Sequence, residues 1–223
     1  MDINLISNNK FTMYKNIHQK AILDLSSKDS QIKKAVNKYG MPEDRKIDGG
    51  FQTLFRMIVG QQISVKAANS VWLKLEKINA NDPGNLLNLT EKKLKSAGLS
   101  KQKINYSKDL ASKTVTGELN FSDLSNLSNE EVHKKLTSIK GIGDWTADIY
   151  QLFVLCDMDA FPHADIAVQE GARIFFNLNH RPKPAELIKL VETWAPLRGA
   201  GALVMWQIYR KEVREGSTAK TIS

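Results

Sequence analysis

Apolar residues recur along this chain at three- and four-residue intervals, and no stretch shows the strict alternation of a half-buried strand. That spacing puts an apolar stripe on each of a series of helices and leaves no sheet face around which to build a core. The punctuation agrees. A helix capped by Ser27 is expected to run through Lys38 and stop at Gly40, ahead of Pro42. Phe51, Leu54, Phe55 and Ile58 form one stripe over 51–59, and a helix over 64–75 follows the Gly60-Gln61-Gln62 break. Short helices over 85–97 and 101–113 flank Gly98-Leu99-Ser100, and Ser128 with Glu131 makes a capping box for a helix that ends near Ile139. Further helices are expected over 144–155, 166–176, 185–194 and 198–214. The fold class is therefore all-α, with residues 15–215 as one two-lobed helical domain, 1–14 as a disordered N-terminus and 216–223 as a flexible tail.

A chain of 223 residues can bury one sizeable core or two small lobes. With 42% apolar and 25% charged residues it reads as a soluble protein, and no stretch reaches membrane-span length. Met1-Asp2-Ile3-Asn4 lacks the basic-then-apolar order of a signal peptide. An intracellular protein without a membrane partner is expected, in the cytoplasm or nucleoid of a bacterium or the nucleus of a eukaryote. Cys156 is the single cysteine, which excludes an internal disulfide and any cluster of thiolate ligands. His18, His133, His163 and His180 stand without ligand spacing, so no required metal cofactor is expected.

The net charge is +8, and seven lysines between Lys92 and Lys113 face a single acid, Asp109. Such a surface suits a polyanion, which would gain affinity by releasing counterions. A solvated lysine-rich face gives the same count, so charge alone leaves both readings open.

Leu136, Ile139, Gly141, Ile142, Gly143, Ala147 and Tyr150 fit two helices joined by a tight Gly-Ile-Gly hairpin. Gly141 and Gly143 are expected to take backbone angles closed to larger residues and to let the main chain approach a ligand. The second helix then opens with unpaired N–H groups and a positive dipole end, which together attract an anion such as a DNA phosphate. Lys140 adds charge beside it, Thr146 extends the motif, and Ile139 and Ile142 anchor it. A plain turn between helices uses Gly-x-Gly too.

The segment Phe161-Pro162-His163-Ala164-Asp165-Ile166-Ala167-Val168, with Asp165 standing 22 residues after Gly143, resembles the loop by which the helix-hairpin-helix (HhH-GPD) DNA glycosylase superfamily presents an essential aspartate. Trp194-x-Pro196-x-Arg198 followed by Trp206, and Gly60-Gln61-Gln62-Ile63-Ser64, are similar to motifs of its 3-methyladenine DNA glycosylase II-like, alkylation-repair subfamily. The resemblance spans roughly residues 45–214. It implies a monomeric, monofunctional DNA glycosylase that flips alkylated purines out of double-stranded DNA and excises them by hydrolysis in base excision repair.

The resemblance also implies roles for particular residues. Asp165 would stabilise the oxocarbenium-like sugar and orient water, although an aspartate there also fits as a helix cap. Asp144, Asp148, Asp157 and Asp159 read as surface or capping residues. Trp145 stands at the position where bifunctional relatives carry a Schiff-base lysine, which points to hydrolysis alone. Gln62 would plug the gap left by the flipped base, or else be an ordinary packed loop residue. Trp145 and Trp206 would line the base pocket, where a π face favours a cationic methylated purine, or else sit in the core as Trp194 is expected to do. Lys140, Gly141, Gly143 and Thr146 would hold DNA, and the carbonyls of Thr137, Ile139 and Ile142 would hold a structural sodium or potassium ion. Two rivals stay open: a glycosylase for deaminated or oxidised bases, and a non-catalytic DNA-damage-binding protein.

Overall fold

The structure, a computed structural model, describes residues 17–216. Among these residues there is no strand, and the chain divides into two compact units: Ile47–Leu155, and the described residues on either side of it. Except for Gly216, which closes the last helical turn, the termini expected to be disordered lie outside the described residues.

In the unit Ile47–Leu155, α3 (Phe51–Gly60) packs against α4 (Val65–Lys77) and α7 (Lys101–Val115), with the short α5 (Pro83–Asn88) and α6 (Glu91–Ala97) covering α7. Helices α8 (Asn129–Thr137) and α9 (Asp144–Phe153) pair around the hairpin. Phe51, Leu54, Phe55 and Ile58 are buried, as their spacing requires, in a core with Leu75, Leu94, Leu110, Leu136 and Tyr150. Side-chain caps on Ser64, Asp82, Thr90, Ser100 and Ser128 fix where the chain enters each helix. Thr90 also explains why 85–97 is two helices rather than one: its hydroxyl accepts from Lys93 N and starts α6 afresh.

The other unit begins with α1 (Ile17–Lys28), which precedes the helix expected at Ser27, and α2 (Ser30–Tyr39) is capped by Asp29 instead. Asp29 Oδ1 accepts from Gln31 N at 2.8 Å and Ile32 N at 3.1 Å, while the Ser27 hydroxyl donates back to the Asp24 carbonyl inside α1. A carboxylate at a helix start makes charge-assisted bonds, whereas serine in a last turn bonds inward. After α10 (Ile166–Phe175) and α11 (Pro184–Leu190), the central helix is α12 (Arg198–Tyr209), against which α1, α2 and α10 pack. Its run from Gly199 to Met205 is buried on every side, the signature of a core helix. The expected continuation to Arg214 is a π-helical turn over Arg210–Glu215.

Small residues set how closely this unit packs. A Cβ on Gly171 would lie 2.1 Å from the Met205 carbonyl oxygen, so α10 and α12 touch backbone to backbone. Trp194 is buried, as expected, its ring lying where a Cβ on Gly201 would stand and its Nε1 donating to Asp29 Oδ2 at 2.8 Å. Asp159, expected at the surface or as a cap, is half-buried and serves the start of α12. It takes Arg198 Nε at 2.9 Å and Nη2 at 2.5 Å, and its Oδ1 also accepts from Arg198 N, fixing the start of α12. That hydrogen-bonded pairing raises the Arg198 pKa.

Candidate active site and DNA-binding hairpin

The hairpin runs from Ser138, which ends α8, to Gly143, which begins α9. Gly141 has a φ of +84°, and a Cβ there would fall 2.1 Å from the Tyr106 ring, so both conformation and space call for glycine. Gly143 corrects the sequence expectation. Its φ of −100° and ψ of 179° are open to any residue, and a Cβ would meet nothing within 4 Å. What glycine does there is leave the start of α9 bare, where the first N–H groups lack intrahelical acceptors. Ile139 and Ile142 are buried and anchor the turn. Lys140 keeps an exposed side chain, with Nζ 3.8 Å from Asp109 Oδ1, and its backbone N–H donates to Asp109 Oδ2 at 2.9 Å.

Thr146 is buried at 4% exposure because the third position of α9 faces the core, and its backbone N–H remains at the helix opening. Trp145, one residue earlier, is 42% exposed and is therefore not a core tryptophan. Asp148, expected at the surface or as a cap, is instead buried within α9 one turn further on, with His133 Nε2 at 3.8 Å from Asp148 Oδ1 and 3.6 Å from Asp144 Oδ1.

Gln62 sits exposed in the loop between α3 and α4 with a left-handed φ of 58°. Beside it Gln61 Nε2 donates to the Gly141 carbonyl at 2.8 Å, joining loop to hairpin. Gln61, Gln62, Lys103, Tyr106, Gly141 and Gly143 line a groove of about 370 Å³. The lysine run is less available to a polyanion than its count implies. Lys103 donates to the carbonyls of Val59 and Gln61, Lys108 to those of Leu87 and Leu89, and Lys95 and Lys113 pair with Glu91 and Glu118. Burial pulls the Lys103 ammonium below the usual lysine pKa.

In the other unit, Asp165 caps α10. Its Oδ1 accepts from Ala167 N at 2.8 Å, Val168 N at 2.9 Å and Trp206 Nε1 at 3.0 Å. Capping and a fixed anion are thus the same arrangement, since three donors on one oxygen hold the carboxylate in a single orientation. Behind it Gln169, buried, donates to the His163 carbonyl at 2.9 Å and braces the loop that carries Asp165. The Trp206 bond and the Gly171 contact that brings α12 close were not foreseen from sequence.

Among the described residues no group of three or more His, Cys, Asp and Glu could hold a metal, and no helix is long and apolar enough to cross a membrane. The chain is 30% identical over 208 residues to DNA-3-methyladenine glycosylase 1 of Schizosaccharomyces pombe, covering 87% of this chain and 91% of that protein. Its structure is similar to a DNA-3-methyladenine glycosidase from Bacillus halodurans, with a TM-score of 0.79 and 29% identity over 86% of this chain and 89% of the other. It is also similar to a Schizosaccharomyces pombe 3-methyladenine DNA glycosylase in complex with abasic DNA, with a TM-score of 0.73, 29% identity and coverage of 86% and 96%. Residues 55–196 match the description of an HhH-GPD superfamily base excision DNA repair protein, and the chain belongs to that superfamily.

Proposed function

We propose that this protein is a monofunctional DNA glycosylase, acting as a monomer on double-stranded DNA, that hydrolyses the N-glycosidic bond of alkylated purines of the 3-methyladenine and 7-methylguanine type. The observation that carries the reading is the Asp165 carboxylate, fixed by Ala167 N, Val168 N and Trp206 Nε1 in a chain of a base excision repair superfamily. As the C1′–N bond breaks, its electron pair leaves with the base and positive charge develops on the sugar. A preoriented carboxylate stabilises that charge without reorganising. Water then bonds to C1′ and loses a proton, for which Asp165 is the acceptor we assign, and the products are a free base and an abasic site. A cationic methylated purine leaves readily, so no strong general acid is needed.

The hairpin is assigned to hold the phosphate backbone through the bare start of α9, with Lys140 adding charge. The carbonyls of Thr137, Ile139 and Ile142 are the oxygens that would hold a sodium or potassium ion there. Of these, the Ile139 carbonyl accepts Ile142 N at 3.0 Å, which uses one of its two lone pairs and leaves the other for a ligand. Such an ion would supply positive charge beside a phosphate.

The experiment that tests the reading is single-turnover cleavage of a duplex carrying one 7-methylguanine, with and without borohydride. Because Trp145 stands where lyases carry lysine, base release is expected without strand nicking and without a trapped protein–DNA adduct. An adduct formed as fast as the base is released would assign a lyase; faster release of neutral hypoxanthine than of 7-methylguanine would shift the substrate class to deaminated bases.

Trp206 has two separable contributions under this reading, its π face and its N–H. Trp206→Phe keeps the face and loses the bond to Asp165, so release of charged and neutral bases should fall alike. Trp206→Leu loses both, and release of cationic bases should fall a further 2- to 30-fold or so, the worth of a cation–π contact of ~0.5 to 2 kcal/mol. Equal losses from the two variants on every base would take the π face out of base recognition.

A further inference from the structure

One face of α7 holds together the loop that carries Gln62 and the hairpin. Lys103, Tyr106 and Asp109 are spaced three residues apart, so they share that face. Lys103 Nζ lies 2.6 Å from the Val59 carbonyl oxygen and 2.7 Å from that of Gln61. Those carbonyls lie at the end of α3, where acceptors have no intrahelical donor and where a cation is favoured by the helix dipole. Tyr106 fills the space under Gly141, and Asp109 accepts the backbone N–H of Lys140. Gln61 closes the circuit by donating to the Gly141 carbonyl. Next to the anchored Gln61, Gln62 is held in a left-handed conformation that a glutamine in a free loop would rarely keep.

We propose that Lys103 is a positioning residue for opening the duplex: by bridging the carbonyls of Val59 and Gln61 it fixes the backbone on which Gln62 enters the DNA, in register with the hairpin. The proposal rests on the reading of Gln62 as the plugging side chain. It gives Lys103 a task different from that of a phosphate-binding lysine, because its ammonium is already directed at protein carbonyls. The cost that the plug offsets is unstacking, which is largest in a matched duplex and small where the lesion is already unpaired. Lys103 should therefore matter on one substrate and not the other.

The test measures single-turnover release of 7-methylguanine from a matched duplex and from the same sequence with the lesion in a short unpaired bubble. Lys103→Met is expected to lose about 10- to 100-fold on the duplex, the scale of a small misplacement, and less than about threefold on the bubble. Lys103→Arg, which can still donate to two carbonyls, should recover most of the duplex rate. Combining Lys103→Met with Gln62→Ala should be no worse on the duplex than Gln62→Ala alone, since one acts through the other. The salt dependence of duplex binding should keep its slope.

Equal losses on duplex and bubble would overturn the proposal in favour of a general packing role. A salt slope reduced by about one would make Lys103 a phosphate contact. Full duplex activity in Lys103→Met beside a defective Gln62→Ala would remove Lys103 and keep the plug, whereas an active Gln62→Ala would remove the plug reading and the proposal with it. Should Lys103→Met fail to fold, Lys103→Gln, whose amide is too short to span both carbonyls, carries the same comparison.

Discussion

Asp165→Asn is expected to fold, bind lesion-containing duplex with near-native affinity, and lose on the order of 10²- to 10³-fold or more in single-turnover base release. The geometry makes this an unusually clean substitution. The bonds from Ala167 N, Val168 N and Trp206 Nε1 end on Oδ1, a position where an asparagine carbonyl oxygen is still an acceptor. The cap of α10 and the link to α12 are kept while the negative charge is removed. Asp165→Ala lacks that virtue, because losing the cap alone costs about 0.5 to 2 kcal/mol of stability. The result to look for is an unchanged melting temperature beside a collapsed rate in the chemical step. A native rate in Asp165→Asn would leave this residue as a cap and nothing more.

Gly171→Ala should damage both stability and base release, although the residue touches no substrate. A Cβ at that position would lie 2.1 Å from the Met205 carbonyl oxygen and 2.7 Å from its carbon, and neither is the flexible end of a side chain. Helices α10 and α12 would have to separate, and Trp206, next to Met205, would draw away from Asp165. Overpacking of this kind costs about 1 to 3 kcal/mol, or roughly 2 to 12 °C in Tm for a chain of this length. Base release should fall beyond what the lost stability explains, measured well below the transition. Gly143→Ala supplies the stability control: with an extended backbone and open space around its Cβ, it should melt with the wild type. A Gly171→Ala protein as stable and as active as the wild type would mean the two helices are free to part without consequence.

What could be read from the sequence and what could not divide along physical lines. Helical stripes, caps such as Ser64 and Ser128, and the Gly141 turn are local, so residue type and spacing reveal them. The Asp165 cap is legible from residue type at a helix start, while the catalytic role proposed for it comes from its distance from the hairpin and its match to a family motif. The helix start at Asp29 was misread as Ser27 because both residue types suit a cap and only the tertiary bond from Trp194 to Asp29 favours one. Lys103 was hidden for another reason. Within a run of lysines it counts as charge, and its carbonyl partners lie more than 40 positions away in sequence. Gly171 reads as a slightly poor helix residue until α12 is placed against it. One signal was available: Gly199, Ala200, Gly201 and Ala202 at the start of α12 announce a helix that neighbours approach closely.

The measurement that bears most directly on the whole account is the identity of the free bases released from alkylated duplex DNA, separated and identified by mass. The wild-type protein should release 3-methyladenine and 7-methylguanine, leave abasic sites in unbroken strands, and release neither when Asp165 is asparagine. A protein that binds this DNA but releases no methylated purine, or releases it equally well from the Asp165→Asn variant, would contradict the account.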